Sequence, residues 1–334
     1  EHKIGIHACP TCVMSYGDTR GAIGYLIGEE NKGLECMFTM MNNARLTVGL
    51  QGVSVAERAY QQALIYCNER VQGVAPGYKN AGPIIRHPDV RRMLTTMKAI
   101  TEAARALTYS ACTEVDIVAS DLPAKALEKH TSRLGLLTPI VKGWCTEVAQ
   151  EVAALSLQCH GGMGYIEETG IAQIFRDARI LPIYEGTNGI QSMDLVVRKI
   201  IGDKGIAINE LIVDMRKSLS SLSSDSPLLS SQIGRFEASI DDLEKTVSLL
   251  LKHTTNRQFT GSVAFDVLMM TSTITAAWQM FISVERAKLA LENNKVSSEF
   301  FDDKAATAQY FIDSILPRYV GHFITINSTD TGVQ

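Results

Sequence analysis

The sequence predicts a mostly α-helical protein, a four-helix bundle preceded by the end of a β-domain and followed by a second all-helical unit. Three observations carry this. Only nine of the 334 residues are proline; they sit at element boundaries and leave the proline-free tracts 89–122, 140–181 and 228–316, which suit helices. Ile233, Phe236, Ile240, Leu243, Val247 and Leu250 recur three and four residues apart, which sets them on one helical stripe. The first thirty residues differ, because Gly5, Gly17, Gly21, Gly24 and Gly28 break short apolar and β-branched runs such as Ala22-Ile23-Gly24-Tyr25-Leu26-Ile27, the pattern of hairpin-connected strands.

In chain order, residues 1–33 read as the C-terminal end of a β-domain. From Leu34 to about Gln72 apolar residues run without a breaker, which predicts a long helix buried on more than one side. A Gly- and Pro-bearing loop spans Gly73 to Pro83. His87-Pro88-Asp89 opens a second helix to about Leu122, with Pro88 in the first turn, where a missing N–H does least harm. A third helix is expected over Pro139 to Cys159, then a glycine loop, then a fourth over Asn188 to Ile201. These four form the bundle of 34–204. The serine-dense stretch Ser218 to Ser231 has a linker's composition, and the striped segment joins 263–293 and 302–320 in the appended unit of 205–334.

Lys and Arg total 32 against 36 Asp and Glu, a net charge of -4. That balance gives no general attraction to nucleic acid or anionic membranes, so a phosphate-bearing ligand needs local groups. No uninterrupted apolar run of about 20 residues predicts a membrane span. The seven cysteines are odd in number and mostly lie in apolar, helix-like segments, which suggests reduced thiols and a cytoplasmic (cytosolic or organelle-matrix) setting. A chain opening Glu1-His2-Lys3 and passing at once into a strand-like run reads as a fragment of a longer protein.

Residues 158–191 hold the most chemistry. Glu185 stands between the apolar Ile180, Leu181, Ile183 and Tyr184 and a Gly186-Thr187 turn. A carboxylate in an apolar wall is poorly solvated and can serve as a tunable base; equally, Glu185 could be an exposed helix-start residue beside a Thr187 or Asn188 cap. Gly161, Gly162 and Gly164 allow a flat or phosphorylated ligand close to the backbone, or simply make a tight helix-to-helix turn.

Ile183-Tyr184-Glu185-Gly186-Thr187, preceded by Phe175-Arg176-Asp177-Ala178-Arg179 and His160-Gly161-Gly162-Met163-Gly164-Tyr165, closely resembles the C-terminal signature of the acyl-CoA dehydrogenases. Gly28-Glu29-Glu30-Asn31-Lys32-Gly33 and Met40-Met41-Asn42-Asn43-Ala44-Arg45 resemble that family's passage from its middle β-domain into its C-terminal helical domain. The resemblance covers residues 1–200. It implies FAD as cofactor, an acyl-CoA thioester as substrate, and Glu185 as the base that takes the α-proton while the β-hydrogen leaves as hydride. It also implies polarisation of the thioester carbonyl by the Glu185 N–H and a cofactor hydroxyl. Ala44 stands where some members carry the base instead, and alanine cannot serve.

The same resemblance puts Arg70 on the FAD pyrophosphate across a subunit interface, although an arginine at a helix C-terminus is also favoured by the macrodipole alone. Val71-Gln72-Gly73 replaces the family's usual Phe-Gly there. Gln158, Gly161 and Gly162 match the segment near the adenosine half, and Thr187 matches a hydroxyl on a cofactor phosphate. Arg45, Tyr184 and Gly186 match the acyl-CoA side, with Asn42 where many members have aspartate. Residues 205–334 resemble the appended domain of the longer bacterial subgroup, which acts on methylthio-propanoyl-CoA and on unusual or long acyl chains. Electron-transfer flavoprotein and a homo-oligomer are the implied partners. An acyl-CoA oxidase and a non-catalytic helical scaffold are the alternatives, and the chain by itself is expected to be inactive.

Three further signals carry less. Cys9-Pro10-Thr11-Cys12 with His7 nearby spells a C-x-x-C, but there is no second pair to complete a zinc site. Met37, Met40 and Met41 read as core filling or as the lining of an acyl channel. Asp177 and Arg179 read as a local ion pair or as helix-end contacts.

Overall fold

The structure is a computed structural model that describes residues 1–222 and 230–330. It contains ten helices among those residues: α1 (Gly33–Glu69), α2 (Pro88–Val118), α3 (Ala124–Cys159), α4 (Ile171–Ala178), α5 (Asn188–Met193, continued by wider turns over Asp194–Ile201), α6 (Ile206–Leu222), α7 (Ser230–Lys252), α8 (Arg257–Glu292), α9 (Ser298–Tyr310) and α10 (Tyr319–Asp330). The expected linker falls partly inside α6 and α7, and its centre, 223–229, lies outside the described residues.

The close packing of α1 on α3 explains why two helices of 37 and 36 residues lie together. Gly52 faces the α3 backbone so tightly that an added Cβ would come within 2.5 Å of the Cys145 carbonyl oxygen. Small residues at the seam, Ala56, Ala59 and Ala63, are buried alongside it, and the Ser156 hydroxyl donates across it to the Ala59 carbonyl at 2.7 Å. α2 packs on both. Its start follows the expectation: His87 is extended and Pro88 occupies the first turn.

α3 begins fifteen residues earlier than Pro139, which sits inside the helix. Proline normally costs about 3 kcal/mol in a helix interior. Here Leu136, Leu137, Ile140 and Val141 are all buried around it, so tertiary burial outweighs the missing hydrogen bond.

The appended unit is not separate in its packing. α8 contacts α2, α3 and α5 as well as α7, α9 and α10, and one hydrophobic cluster includes residues from α1 to α10. Part of α8 is apolar and long enough to cross a membrane by length and composition, but 83% of that window is buried inside the fold. Polar links also join the units. Arg133 meets Asp214 at 2.7 Å, Thr96 shares a hydrogen bond with Tyr310 at 2.8 Å, and Lys304 pairs with Glu102.

Residues 1–32 differ from the expectation of hairpin strands: no strand forms among the described residues. Val13, Ile23, Tyr25 and Ile27 stand almost fully in solvent. Short apolar and β-branched runs form strands only where a partner strand accepts the backbone ladder, and none of the helices offers one. The segment is tied down near its start, where Asp177 accepts from the Ile6 N–H at 2.6 Å. Asp177 therefore anchors the entering chain and does not pair with Arg179. Met37 and Met40 are exposed on the first turns of α1 and fill no core.

Candidate functional site

Residues 182–188 form a compact turn between α4 and α5. Pro182 opens it, and its carbonyl accepts from the Asn188 N–H at 3.0 Å. Between them Glu185 has φ +56° and Gly186 φ +85°. The left-handed region suits Gly186, but a side chain there costs roughly 1–2 kcal/mol, so Glu185 stays in it only because the surroundings over-determine the turn. Thr187 caps α5, its hydroxyl accepting from the Ile190 N–H at 3.3 Å. The alternative of a Thr187 cap is thus realised, yet Glu185 is half-buried and not fully exposed.

The floor of the turn is polar and buried. Gln191 donates to the Gly186 carbonyl at 3.2 Å. Arg45, 4% exposed, reaches under Gly186, where a Cβ would sit 3.6 Å from its Nη2. It pairs with the buried Asp194 at 3.6 Å and with Asn42 at 3.4 Å. Its Nε and the Gln191 Oε1 are buried without a hydrogen-bond partner, which leaves donor and acceptor capacity directly beneath the turn. Tyr184 donates to Gln51 on α1. Burial pushes the Tyr184 hydroxyl above its ordinary pKa, and the neighbouring Glu185 charge adds to that. Beside Arg45 opens a cleft of about 300 Å³ lined by Phe38, Ile190, Met193, Asp194, Val197 and Arg198, in which apolar side chains flank the Asp194 carboxylate and the two arginines that pair with it.

Arg45, Tyr184, Glu185, Gly186 and Thr187 therefore meet. The remaining candidates lie at the other end of α1. Arg70 is exposed just past α1, its guanidinium 3.4 Å from Gln72. Tyr66 stacks on His160 with ring centroids 4.4 Å apart, which brings the Arg70 end of α1 beside Gln158, Gly161 and Gly162. Gly161 has φ +58°, and a Cβ at either glycine would meet nothing within 4 Å, so the backbone is open to a ligand. Arg45 and Tyr66 are 21 residues apart on one continuous helix, about 31 Å at 1.5 Å per residue. The two groups are separate sites on one chain.

Sequence reasoning missed the residues that hold the floor. Lys142 is fully buried and donates to Asn188 Oδ1 at 2.8 Å. Burial pushes its pKa down to about 8, with Arg45 acting in the same direction and Glu147 and Glu185 opposing. The available signal was that Lys142 is the one charged residue between Leu134 and Thr146. Among the described residues no cluster of His, Cys, Asp and Glu could hold a metal ion.

A family model described as "Acyl-CoA dehydrogenase, C-terminal domain" matches residues 31–200, and one described as "Acetyl-CoA dehydrogenase C-terminal like" matches 209–333. Among curated proteins, the 3-methylmercaptopropionyl-CoA dehydrogenase of Ruegeria pomeroyi is 44% identical over 99% of this chain and 56% of its own length. A broad-specificity linear acyl-CoA dehydrogenase of Mycobacterium tuberculosis is 30% identical over 100% and 57%. The chain thus spans a little over half the length of these relatives. Two solved structures share the fold. Caenorhabditis elegans ACDH-11 in complex with C11-CoA has a TM-score of 0.75 at 20% identity, covering 93% of this chain and 49% of that one. An acyl-CoA dehydrogenase complexed with FAD from Bacillus anthracis has a TM-score of 0.73 at 22% identity, covering 91% and 52%.

Proposed function

The chain belongs to the acyl-CoA dehydrogenase family, and from that premise we propose that it serves the FAD-dependent α,β-dehydrogenation of an acyl-CoA thioester, with Glu185 as the base. The observation that carries this is a half-buried carboxylate on a left-handed turn, set above the buried Arg45 and Gln191, with Arg45 also lining a neighbouring cleft. A turn of that conformation aims a short segment of backbone and one side chain at a common point, which is what removal of a proton next to a carbonyl requires.

In this reading the Glu185 carboxylate takes the α-proton, while its own backbone N–H donates to the thioester oxygen as negative charge develops there. Arg45 lies beneath Gly186 and, paired with Asp194, supports the turn from below. Phe38, Ile190, Met193 and Val197 present exposed apolar surface on the Arg45 side of the turn, which a bound acyl chain would cover. Bound FAD would supply the acceptor for the β-hydride. This chain's groups suited to hold it are the exposed Arg70 guanidinium, Gln158 and the open backbone at Gly161 and Gly162, with Thr187 at the other group. Since about 31 Å of α1 separates Arg45 from Tyr66, Arg70 and Glu185 of one protomer do not converge on one flavin ring. That supports a homo-oligomer in which Arg70 serves a neighbouring protomer's cofactor.

The relative at 44% identity makes 3-methylthiopropanoyl-CoA the first substrate to try. Electron-transfer flavoprotein is the proposed acceptor of the electrons; peroxide formed without any acceptor would favour an oxidase instead. The test is Glu185→Gln in the full-length enzyme. Flavin reduction by acyl-CoA is expected to slow by about 10²–10⁴, and a rate within tenfold of the parent rejects the base assignment.

A further inference from the structure

The mechanism leaves unused a charged side chain that is fully buried. Lys142 is among the largest fully buried side chains of the described residues, and its Nζ makes one hydrogen bond among them, to Asn188 Oδ1 at 2.8 Å. A desolvated ammonium with three donors and one acceptor is costly, whereas a methionine would fill the same channel between α3 and α5 without that cost. Burial alone does not explain the lysine; the acceptor it is aimed at does.

Asn188 is held from every side. Its Nδ2 lies 2.9 Å from Thr146 Oγ1, 2.8 Å from Glu147 Oε1 and 3.2 Å from the Gly143 carbonyl, all on α3. Its backbone N–H closes the turn onto Pro182 at 3.0 Å. Asn188 is therefore the one residue that both ends the turn and grips the rigid α3, and Lys142 is the charged donor on its oxygen. A hydrogen bond to a charged group is worth more than a neutral one, and a strained φ at Glu185 needs such an anchor.

We infer that Lys142 is a positioning residue, which through Asn188 locks the 182–188 turn to α3 and so fixes where Glu185 sits. The catalytic consequence rests on the reading of Glu185 as the base; the locking of the turn does not.

The test compares the full-length parent with Lys142→Met, Asn188→Ser and the double variant. Hydrogen exchange of a peptide spanning 183–191, measured without substrate, is expected to quicken by about tenfold or more in each single variant, while a peptide from 148–156 is unchanged. With 3-methylthiopropanoyl-CoA and butanoyl-CoA as probes, kcat is expected to fall by about 10²-fold with KM within threefold. The double variant should lose no more than Asn188→Ser alone, because that substitution already removes the bond from Lys142. Exchange at 183–191 within twofold of the parent in the single variants overturns the inference, as do additive losses in the double. If Lys142→Met fails to fold, Lys142→Gln, which leaves the Asn188 bonds to Gly143, Thr146 and Glu147 in place, decides by the same exchange criterion. Faster exchange together with full activity in Glu185→Gln retains the lock and rejects the base.

Discussion

Replacing Glu185 by alanine and, separately, by glycine parts the backbone of the site from its carboxylate. Both substitutions delete the proposed base, so both should abolish turnover to the level of Glu185→Gln or below. They differ in the φ of +56° that position 185 must hold. Alanine keeps the left-handed penalty of roughly 1–2 kcal/mol, and glycine removes it, though its freer unfolded chain returns about 0.5–1 kcal/mol. The glycine variant should therefore be the more stable by about 0.5–1 kcal/mol, the reverse of the order in a helix interior. Urea unfolding at equal m-values is the assay, with a difference of about 2 °C in thermal midpoint as a check. A glycine variant equal to or less stable than the alanine variant would show that the turn relaxes when the carboxylate leaves, and the claim that the surroundings impose this conformation would be refuted.

Two further outcomes follow from other features. Lys142 has a folded pKa lowered to about 8 from 10.5, so between those values the unfolded chain binds more protons and stability rises with pH. The stability of the parent relative to Lys142→Met should thus climb by about 3 kcal/mol, at about 1.4 kcal/mol per unit, as pH goes from 7.5 to 10.5; a pH-independent difference in urea midpoints would contradict the buried, charge-disfavouring site. Gly52→Ala should cost about 1–3 kcal/mol by forcing α1 off α3, whereas Gly261→Ala, whose Cβ would meet nothing within 4 Å in α8, should gain up to about 1 kcal/mol, and equal effects at the two positions would show that the seam yields.

What could be read from the sequence was what repeats locally. The three-four spacing from Ile233 to Leu250 marks α7 because a helix turns every 3.6 residues whatever surrounds it. His87-Pro88 marks the start of α2 for an equally local reason. Pro139 misled because its cost is local and the burial that offsets it is not. The run Ala22 to Ile27 is a short apolar, glycine-broken stretch of the kind strands use, but pairing is a property of two segments, and the second is missing from the helices around it. In the site, the Glu185-Gly186-Thr187 motif was legible, while the bond from Lys142 to Asn188 spans 46 positions of sequence. Nothing in either neighbourhood announces it except a solitary charge in an apolar run. The left-handed φ at Glu185 was also hidden, since glutamate is a poor signal for that conformation.

The helix α8 packs against α2, α3 and α5 as well as α7, α9 and α10, so what is appended in sequence is interior in space. A truncation near 204 would not release a smaller working bundle; it would bare the apolar flanks that α8 shields and invite aggregation. The two stretches should melt in a single cooperative step, and damage far out in the second half, at Phe281 or Trp278, should be felt at the turn that carries Glu185.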